Sequence, residues 1–317
     1  MKAIGGYFEL ELPLLPKREH YHANSIKLNT GRCAFEYILR VRNYKKIYLP
    51  YYTCDVMLEP IEKLGLEYEF YKVDQNLDPI FDKQIGSGEV FVYNNYFGVK
   101  QNTVEKIAQN INNIIIDNSQ AFFAPVLQGV DTFYSARKFM GVPDGAYLYI
   151  DIKSEDSIEN DYSYDRCSHL LKRLESDAEA GYVDFCRNDQ SLTGQSIKRM
   201  SGLTEQLLSR IDYDKIIKCR RENFVSLHCA LAESNDFVFD MEAGDVAMVY
   251  PYLCEGGADL RRKLIENKIF VAKYWPNVAE WTKEVTELYM SENLVLLPID
   301  QRLTENDMQR IIEIVLQ

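Results

Sequence analysis

Three places in this 317-residue chain combine residue types whose spacing could support chemistry. The first is Asp117, which closes the run Asn113-Ile114-Ile115-Ile116 and precedes Asn118-Ser119-Gln120. A short apolar run of this kind suits a buried strand, and a carboxylate at its end stands where parallel sheets bind ligands. By itself, an aspartate at a strand end more often caps the next turn. The second is Ser135-Ala136-Arg137-Lys138, directly after the strand-like Thr132–Tyr134 and shortly before Gly141, Pro143 and Gly145. A lysine amine can bond covalently to a carbonyl carbon. S-x-x-K also occurs in β-lactamase-like enzymes, but their accompanying S-D-N and K-T-G motifs are absent here. Alone, Lys138 reads as a solvated lysine. The third is Asn29-Thr30-Gly31-Arg32-Cys33-Ala34, which opens a helical pattern. Free amides at a helix start, with a glycine permitting close approach, suit a phosphate, although Thr30 as an ordinary N-cap explains the same letters.

Taken together, in this order along a chain of alternating strands and helices, the three match the needs of a pyridoxal phosphate site. The lysine amine takes the cofactor aldehyde. The aspartate keeps the pyridine nitrogen protonated, so that the ring can accept carbanion electrons. The helix start and the Ser135 hydroxyl hold the phosphate.

The elements that must position these residues follow from hydrophobic period. Strands are expected at Ile47–Leu49, Tyr68–Val73, Val90–Tyr93, Asn113–Ile116, Thr132–Tyr134 and Ala146–Ile150, with helices at Gly31–Arg42, Asp55–Leu64 and Thr103–Ile111. Such alternation predicts right-handed βαβ units and a mainly parallel sheet flanked by helices. Residues 153–194 are rich in Asp, Glu, Ser and Asn, and read as a mobile excursion with one helix at Cys167–Ala180. Helices are expected next at Arg199–Ile211 and Lys215–Leu231. The last third gives strands at Phe237–Phe239, Val246–Tyr250, Lys268–Ala272 and Leu294–Leu297, with helices at Ala258–Asn267 and Thr304–Leu316. The expected division is an N-terminal arm over 1–23, a large α/β domain over 24–210 and a smaller C-terminal α+β domain over 211–317.

Lys and Arg number 36 against 48 Asp and Glu, a net charge of −12 that argues against a dedicated nucleic-acid binder. Seven cysteines without a C-x-x-C pair, beside four histidines, argue against a disulfide framework or a structural zinc site, and predict a reduced, cytoplasmic setting. The start, MKAIGGYFELELPLLPKREHYH, has acidic residues and prolines inside its apolar stretch, so it does not read as a signal peptide, and no apolar run is long enough to span a membrane. A soluble protein is expected.

With these residues in view, the chain from about Asn29 onward resembles the fold-type I pyridoxal phosphate enzymes, and within them the DegT/DnrJ/EryC1/StrS aminotransferases. Ile115-Ile116-Asp117-Asn118-Ser119-Gln120-Ala121 looks like the family's strand end, implying Asp117 at the pyridine nitrogen and Gln120 near the ring hydroxyl. Thr132 to Gly141 looks like its lysine segment, implying Lys138 as the Schiff-base residue with Ser135 on the cofactor. Thr30-Gly31-Arg32-Cys33-Ala34-Phe35 falls where the family cradles phosphate, implying Gly31, Arg32 and Cys33 there. Arg199-Met200-Ser201 with Gln206-Leu207 echoes its dimer-side helix, while Leu260–Ile265, Val271–Pro276 and Leu297–Asp300 look like its small domain. Several departures stand out. Tyr134 stands one position further from Lys138 than in the family's usual pattern, although Ser135 restores the S-x-x-K spacing of other fold-type I enzymes. Cys54 falls where many members stack an aromatic ring on the cofactor, leaving Tyr51, Tyr52 or Tyr96 as substitutes. Ile197 falls where members lend an Asn to the partner subunit's phosphate. The acidic segment before Arg199 is atypical.

The resemblance implies a homodimeric aminotransferase of amino-sugar biosynthesis, with an amino donor such as glutamate and a keto-sugar, nucleotide-linked acceptor. Dehydration or another elimination on the same cofactor, and a non-catalytic binding role on the same scaffold, remain open. Elsewhere, Tyr93 and Tyr147 read as sheet packing, Trp275 as either pocket border or core, and His169 and His228 as surface or half-buried; Arg32 and Arg137 could bind a phosphate or a substrate carboxylate, with exposure as the default. Glu255-Gly256-Gly257 reads as a loop.

Overall fold

The computed structural model describes residues 10–12, 18–152 and 157–317. Most of the expected arm and the start of the excursion, at 153–156, lie outside the described residues.

The first half contains β1 (Ile26–Leu28), α1 (Gly31–Arg42), β2 (Lys46–Pro50), α2 (Leu58–Leu64), β3 (Glu67–Val73), β4 (Pro79–Ile80), β5 (Glu89–Asn94), α3 (Gln101–Asn110), β6 (Ile114–Asn118), β7 (Asp131–Ser135) and β8 (Ala146–Tyr149). These strands form one sheet in the order β1-β8-β7-β6-β5-β2-β3-β4. The run β7-β6-β5-β2-β3 is parallel, whereas β8 is antiparallel to both β7 and β1, and β4 is antiparallel to β3. Alternation along each strand sorts the side chains between two cores. Ile47, Val92, Ile115 and Phe133 join Ala34, Phe35 and Ile38 of α1 on one face. Tyr48, Tyr93, Ile116 and Tyr134 point to the other, where the C-terminal part of the chain packs. Because both faces are covered, the strands read as continuous apolar runs.

The second half contains α4 (Ser168–Glu175), α5 (Ala178–Ser191), α6 (Gly202–Leu208), α7 (Tyr213–Leu231), β9 (Val249–Leu253), α8 (Gly257–Glu266), α9 (Val278–Trp281), α10 (Val285–Asn293), β10 (Leu294–Pro298) and α11 (Glu305–Val315). Strands β9 and β10 pair antiparallel as a separate two-stranded sheet. On α11, Met308, Ile311 and Ile312 are buried while Val315 is only half-buried.

Several expected elements need correction. Phe237–Phe239 is not a strand, because Asn235 draws the chain into a turn-like path: its Oδ1 accepts from Phe237 N at 3.0 Å and from Leu253 N at 2.9 Å. Lys268–Ala272 is not a strand either. Lys268 takes a left-handed conformation (φ 61°) and Ile269 N bonds back to Leu264 O at 2.9 Å, so the backbone is spent closing α8. The strand expected at Val246–Tyr250 lies at Val249–Leu253. The single helix expected at Cys167–Ala180 is two helices, restarted at Asp177, whose side chain accepts from Ala180 N. Helix α6 begins at Gly202 rather than Arg199, capped by Ser201. Strands β1 and β4 and helices α9 and α10 are additional.

Residues 18–25 dock on the sheet through two histidines. His22 is 2% exposed, with Nε2 2.7 Å from Phe122 O and Nδ1 3.2 Å from Tyr149 OH, among the rings of Phe122, Tyr134 and Tyr147. Burial pulls its pKa down to about 4, opposed by the bond to the Phe122 carbonyl. A histidine held neutral by folding makes the unfolded chain the stronger proton binder between its ordinary value of 6.5 and about 4. Stability is therefore expected to fall as pH drops through that window, by about 3 kcal/mol in total. Equilibrium denaturation across the window, with His22→Gln flattening the curve, checks this.

Candidate active site

The expected site residues come from separate elements that end at one edge of the sheet. Asp117 is the penultimate residue of β6, in register with Asn94 of β5 and Phe133 of β7. Its Oδ1 accepts from Ser119 N at 2.7 Å. Burial pushes its carboxyl up, while the charge of Lys138 and the hydrogen bonds from Ser119 pull the other way. A desolvated carboxylate of this kind is stabilised by a cation placed against it.

Gln120 is 4% exposed. Its Oε1 accepts from Phe97 N at 3.1 Å, whereas its Nε2 is buried without a partner among the described residues. This arrangement needs Phe97 in a left-handed conformation (φ 55°) and Gly98 beside it (φ 70°). A Cβ at Gly98 would lie 2.9 Å from Val246 O and 3.2 Å from Gln120 O, so only glycine fits. An orphaned buried N–H is costly and signals an absent acceptor.

Helix α1 begins where β1 ends. Thr30, in extended conformation, accepts from Cys33 N at 3.0 Å, and the amides of Gly31 and Arg32 have no hydrogen-bond partner among the described residues. A Cβ at Gly31 would lie 3.3 Å from Ser119 Oγ, which brings the helix start against the residues after Asp117. Asn29 anchors this junction: its side chain donates to Ser196 O and accepts from Thr30 N, and its carbonyl accepts from Gly145 N at 2.7 Å. Cys33 is buried, and burial pushes its thiol up.

Lys138 ends the short 3-10 turn that follows β7, and Ser135 is the last residue of that strand. The Lys138 side chain is exposed and makes no hydrogen bond or ion pair among the described residues. Its charge acts on both Asp117 and Cys54, so the amine is near both. The turn is held firmly. Phe139 O accepts from Gln301 Nε2 at 2.8 Å, Pro143 O from Asn188 Nδ2 at 3.1 Å, and the buried Asp144 from Ser201 N at 3.1 Å.

Beside Lys138 opens a cleft of about 790 Å³, lined by Ser135 and Lys138 and by Met248, Tyr274 and Asp300 among others. Asp117, Gln120, Gly31, Arg32, Cys33 and Cys54 do not line it. The sheet-edge group thus lies outside the cleft, and Lys138, whose charge acts on Asp117, links the two.

Other expectations are corrected. Arg32 and Arg137 are largely buried and paired: Arg32 with Glu59 at 3.1 Å, Arg137 with Asp189 at 3.2 Å. The charge of Arg32 acts on Arg137, so the two are neighbours. His169 is buried and lines the cleft, while His228 is exposed. Tyr52 and Tyr96 are fully buried and pack with Trp275, and Tyr51 stacks on Phe70. Tyr274 lines the cleft and lies near enough to Cys54 to feel its charge; its hydroxyl is pushed up to about 12 by burial, with Cys54 adding to the shift. Sequence reasoning missed it because it stands in an irregular segment more than 200 positions from Cys54. Ile197 packs against the α1 core. All seven cysteines are free thiols. No described helix is long and apolar enough to cross a membrane.

No family model matches the chain, and no curated protein matches it. Solved structures do. The sugar aminotransferase CalS13 from Micromonospora echinospora is 16% identical, with a TM-score of 0.64 over 93% of this chain and 87% of that one. A DegT DnrJ EryC1 StrS aminotransferase from Brucella abortus is 14% identical, with a TM-score of 0.63 over 92% and 84%. The putative sugar aminotransferase Spr1654 from Streptococcus pneumoniae, in its PMP-form, is 13% identical, with a TM-score of 0.60 over 92% and 86%. The chain therefore has the fold-type I architecture of the DegT/DnrJ/EryC1/StrS-type sugar aminotransferases: a mainly parallel sheet flanked by helices, with a small antiparallel sheet beside it.

Proposed function

We propose that this chain is a pyridoxal phosphate-dependent aminotransferase that passes an amino group to a keto-sugar, nucleotide-linked acceptor, working as a cytoplasmic homodimer. In this reading residues 24–210 form the cofactor domain and 211–317 the smaller one. The observation that carries it is the convergence at one sheet edge of a desolvated carboxylate, an unpaired buried amide, free helix amides and an unpaired lysine amine. Each matches a different part of one cofactor. Asp117 suits the protonated pyridine nitrogen, Gln120 Nε2 a ring oxygen, and the amides of Gly31 and Arg32, with Ser135, the phosphate. Lys138 suits the aldehyde.

When bound, the cofactor supplies an electron sink for a carbanion next to the amino group. The residues do the rest. Asp117 keeps a positive charge on the ring nitrogen. Lys138, once freed by the amino donor, would carry the proton between the substrate α-carbon and the cofactor carbon across the intervening nitrogen. Tyr274, Phe139 and Met248 wall the cleft and limit water around that proton.

The test is spectroscopic. Purified protein mixed with pyridoxal phosphate should gain a visible band that borohydride fixes on Lys138, and glutamate should convert it to the pyridoxamine form. A lyase would not accumulate that form. A colourless protein without a reducible adduct would leave a binding role on this scaffold.

A further inference from the structure

The excursion before Arg199, atypical of the resembled family, turns out to build one wall of the cleft beside Lys138. Helices α4 and α5 pack tightly together; a Cβ at Gly181 would lie 2.8 Å from His169 O. They present His169, Leu170, Arg173, Leu174, Phe185 and Asp189 to the cleft. Pro298 to Arg302, running from the end of β10, and Arg220 of α7 also line it.

The charge of this cleft runs against that of the chain. Arg137, Lys138, Arg173, Arg220 and Arg302 face only Asp189 and Asp300, in a protein whose net charge is −12. Both carboxylates are already engaged. Asp189 pairs with Arg137 at 3.2 Å, and Asp300 takes two bonds from Arg302 at 2.7 and 2.8 Å. Arg173 and Arg220 are left with no carboxylate in contact. Arg220 is 2% exposed; it donates to Met248 O at 2.8 Å and lies 4.6 Å from the Phe139 ring, but its Nε has no partner among the described residues. Two further buried polar atoms of the same cleft, His169 Nδ1 and Gln301 Oε1, are also unpartnered. Arg173 makes no ion pair among the described residues, and the nearby charges on it are Arg302, Asp300 and Asp177. Two guanidinium groups without a carboxylate partner, one of them with an unsatisfied Nε donor, describe an anion site, while Gln301 Oε1 is an acceptor and adds nothing to it.

We propose that Arg173, backed by Arg220 and Arg302, binds a phosphoryl group carried by the acceptor, so that the α4–α5 pair sets acceptor specificity. The inference rests on the reading of Lys138 as the reacting residue. More than one unmatched cation favours a multiply charged phosphoryl group over a single carboxylate. Arg173 acts by holding the far end of the substrate while its reacting carbon lies at Lys138.

The experiment measures calorimetric binding of inorganic pyrophosphate and of glutarate to protein whose cofactor has been fixed by borohydride. Pyrophosphate should bind more tightly than glutarate, and Arg173→Gln should weaken it by about tenfold or more. Arg187→Gln, an exposed position on α5 paired with Asp184, serves as the control and should bind like wild type. Arg173→Lys should recover part of the loss and make the response to salt resemble wild type. Wild-type pyrophosphate affinity in Arg173→Gln overturns the proposal, as does no pyrophosphate binding to wild type or a preference for glutarate. If no adduct forms at Lys138, the cofactor reading fails on its own, and the same titrations on the purified chain still decide the anion site.

Discussion

Replacing Lys138 by alanine is expected to abolish the borohydride-fixed adduct and to lower any transamination rate by at least roughly 10²–10⁴-fold, the range associated with one positioned proton-transfer group. The loss should be clean. The Lys138 amine makes no hydrogen bond or ion pair among the described residues, and the turn carrying it is held by Gln301, Asn188 and Asp144 through other atoms. The variant should therefore melt close to wild type, within the small range typical of exposed substitutions. Mass spectrometry of the reduced protein and single-turnover kinetics supply the measurements. An adduct that persists at another lysine, with the rate intact, would remove Lys138 from the site.

The second large effect is expected from Asp117→Asn. Asparagine keeps an acceptor for Ser119 N but not the charge that opposes a ring cation. Loss of one preorganised electrostatic partner in a desolvated site costs roughly 10²–10³ in rate, while the covalent adduct at Lys138 should still form. The two variants thus separate two roles, attachment and electron withdrawal. Asp117→Asn should also relieve the burial penalty that raises this carboxyl, so it should not destabilise the fold. Stopped-flow half-reactions with glutamate check the rate; equal rates in variant and wild type would contradict the role of Asp117.

The parts of the molecule legible in the sequence are those governed by local pattern. Ile114 to Ile116 alternates between two cores, so a buried strand could be read with its terminal aspartate in place. Thr30 and the apolar spacing after it mark α1 to the residue. Lys138 could be placed because it follows a strand directly. What escaped depends on contacts distant in sequence. Phe237–Phe239 has a strand's composition, but Asn235 takes the hydrogen bonds a strand would need. Gln120 could be named, yet the isolation of its amide depends on the left-handed backbone of Phe97. Tyr274, His169 and Arg173 carry no local signal at all; they come to line the cleft beside Lys138 only through contacts distant in sequence.

The last turn of α5 and the residue pair just beyond it tie together two neighbours of the site. Asp189 holds Arg137, adjacent to Lys138, and Thr193 Oγ1 accepts from Arg32 at the start of α1, while Gly194 N is bound by the same Glu59 that pairs with Arg32. The proposed attachment point and the proposed phosphate cradle therefore share a common brace. Exchanging this helical pair with that of a relative, to alter which acceptor enters, would also loosen the grip on the coenzyme unless residues 189–194 were kept, so specificity here is best redesigned from α4 inward.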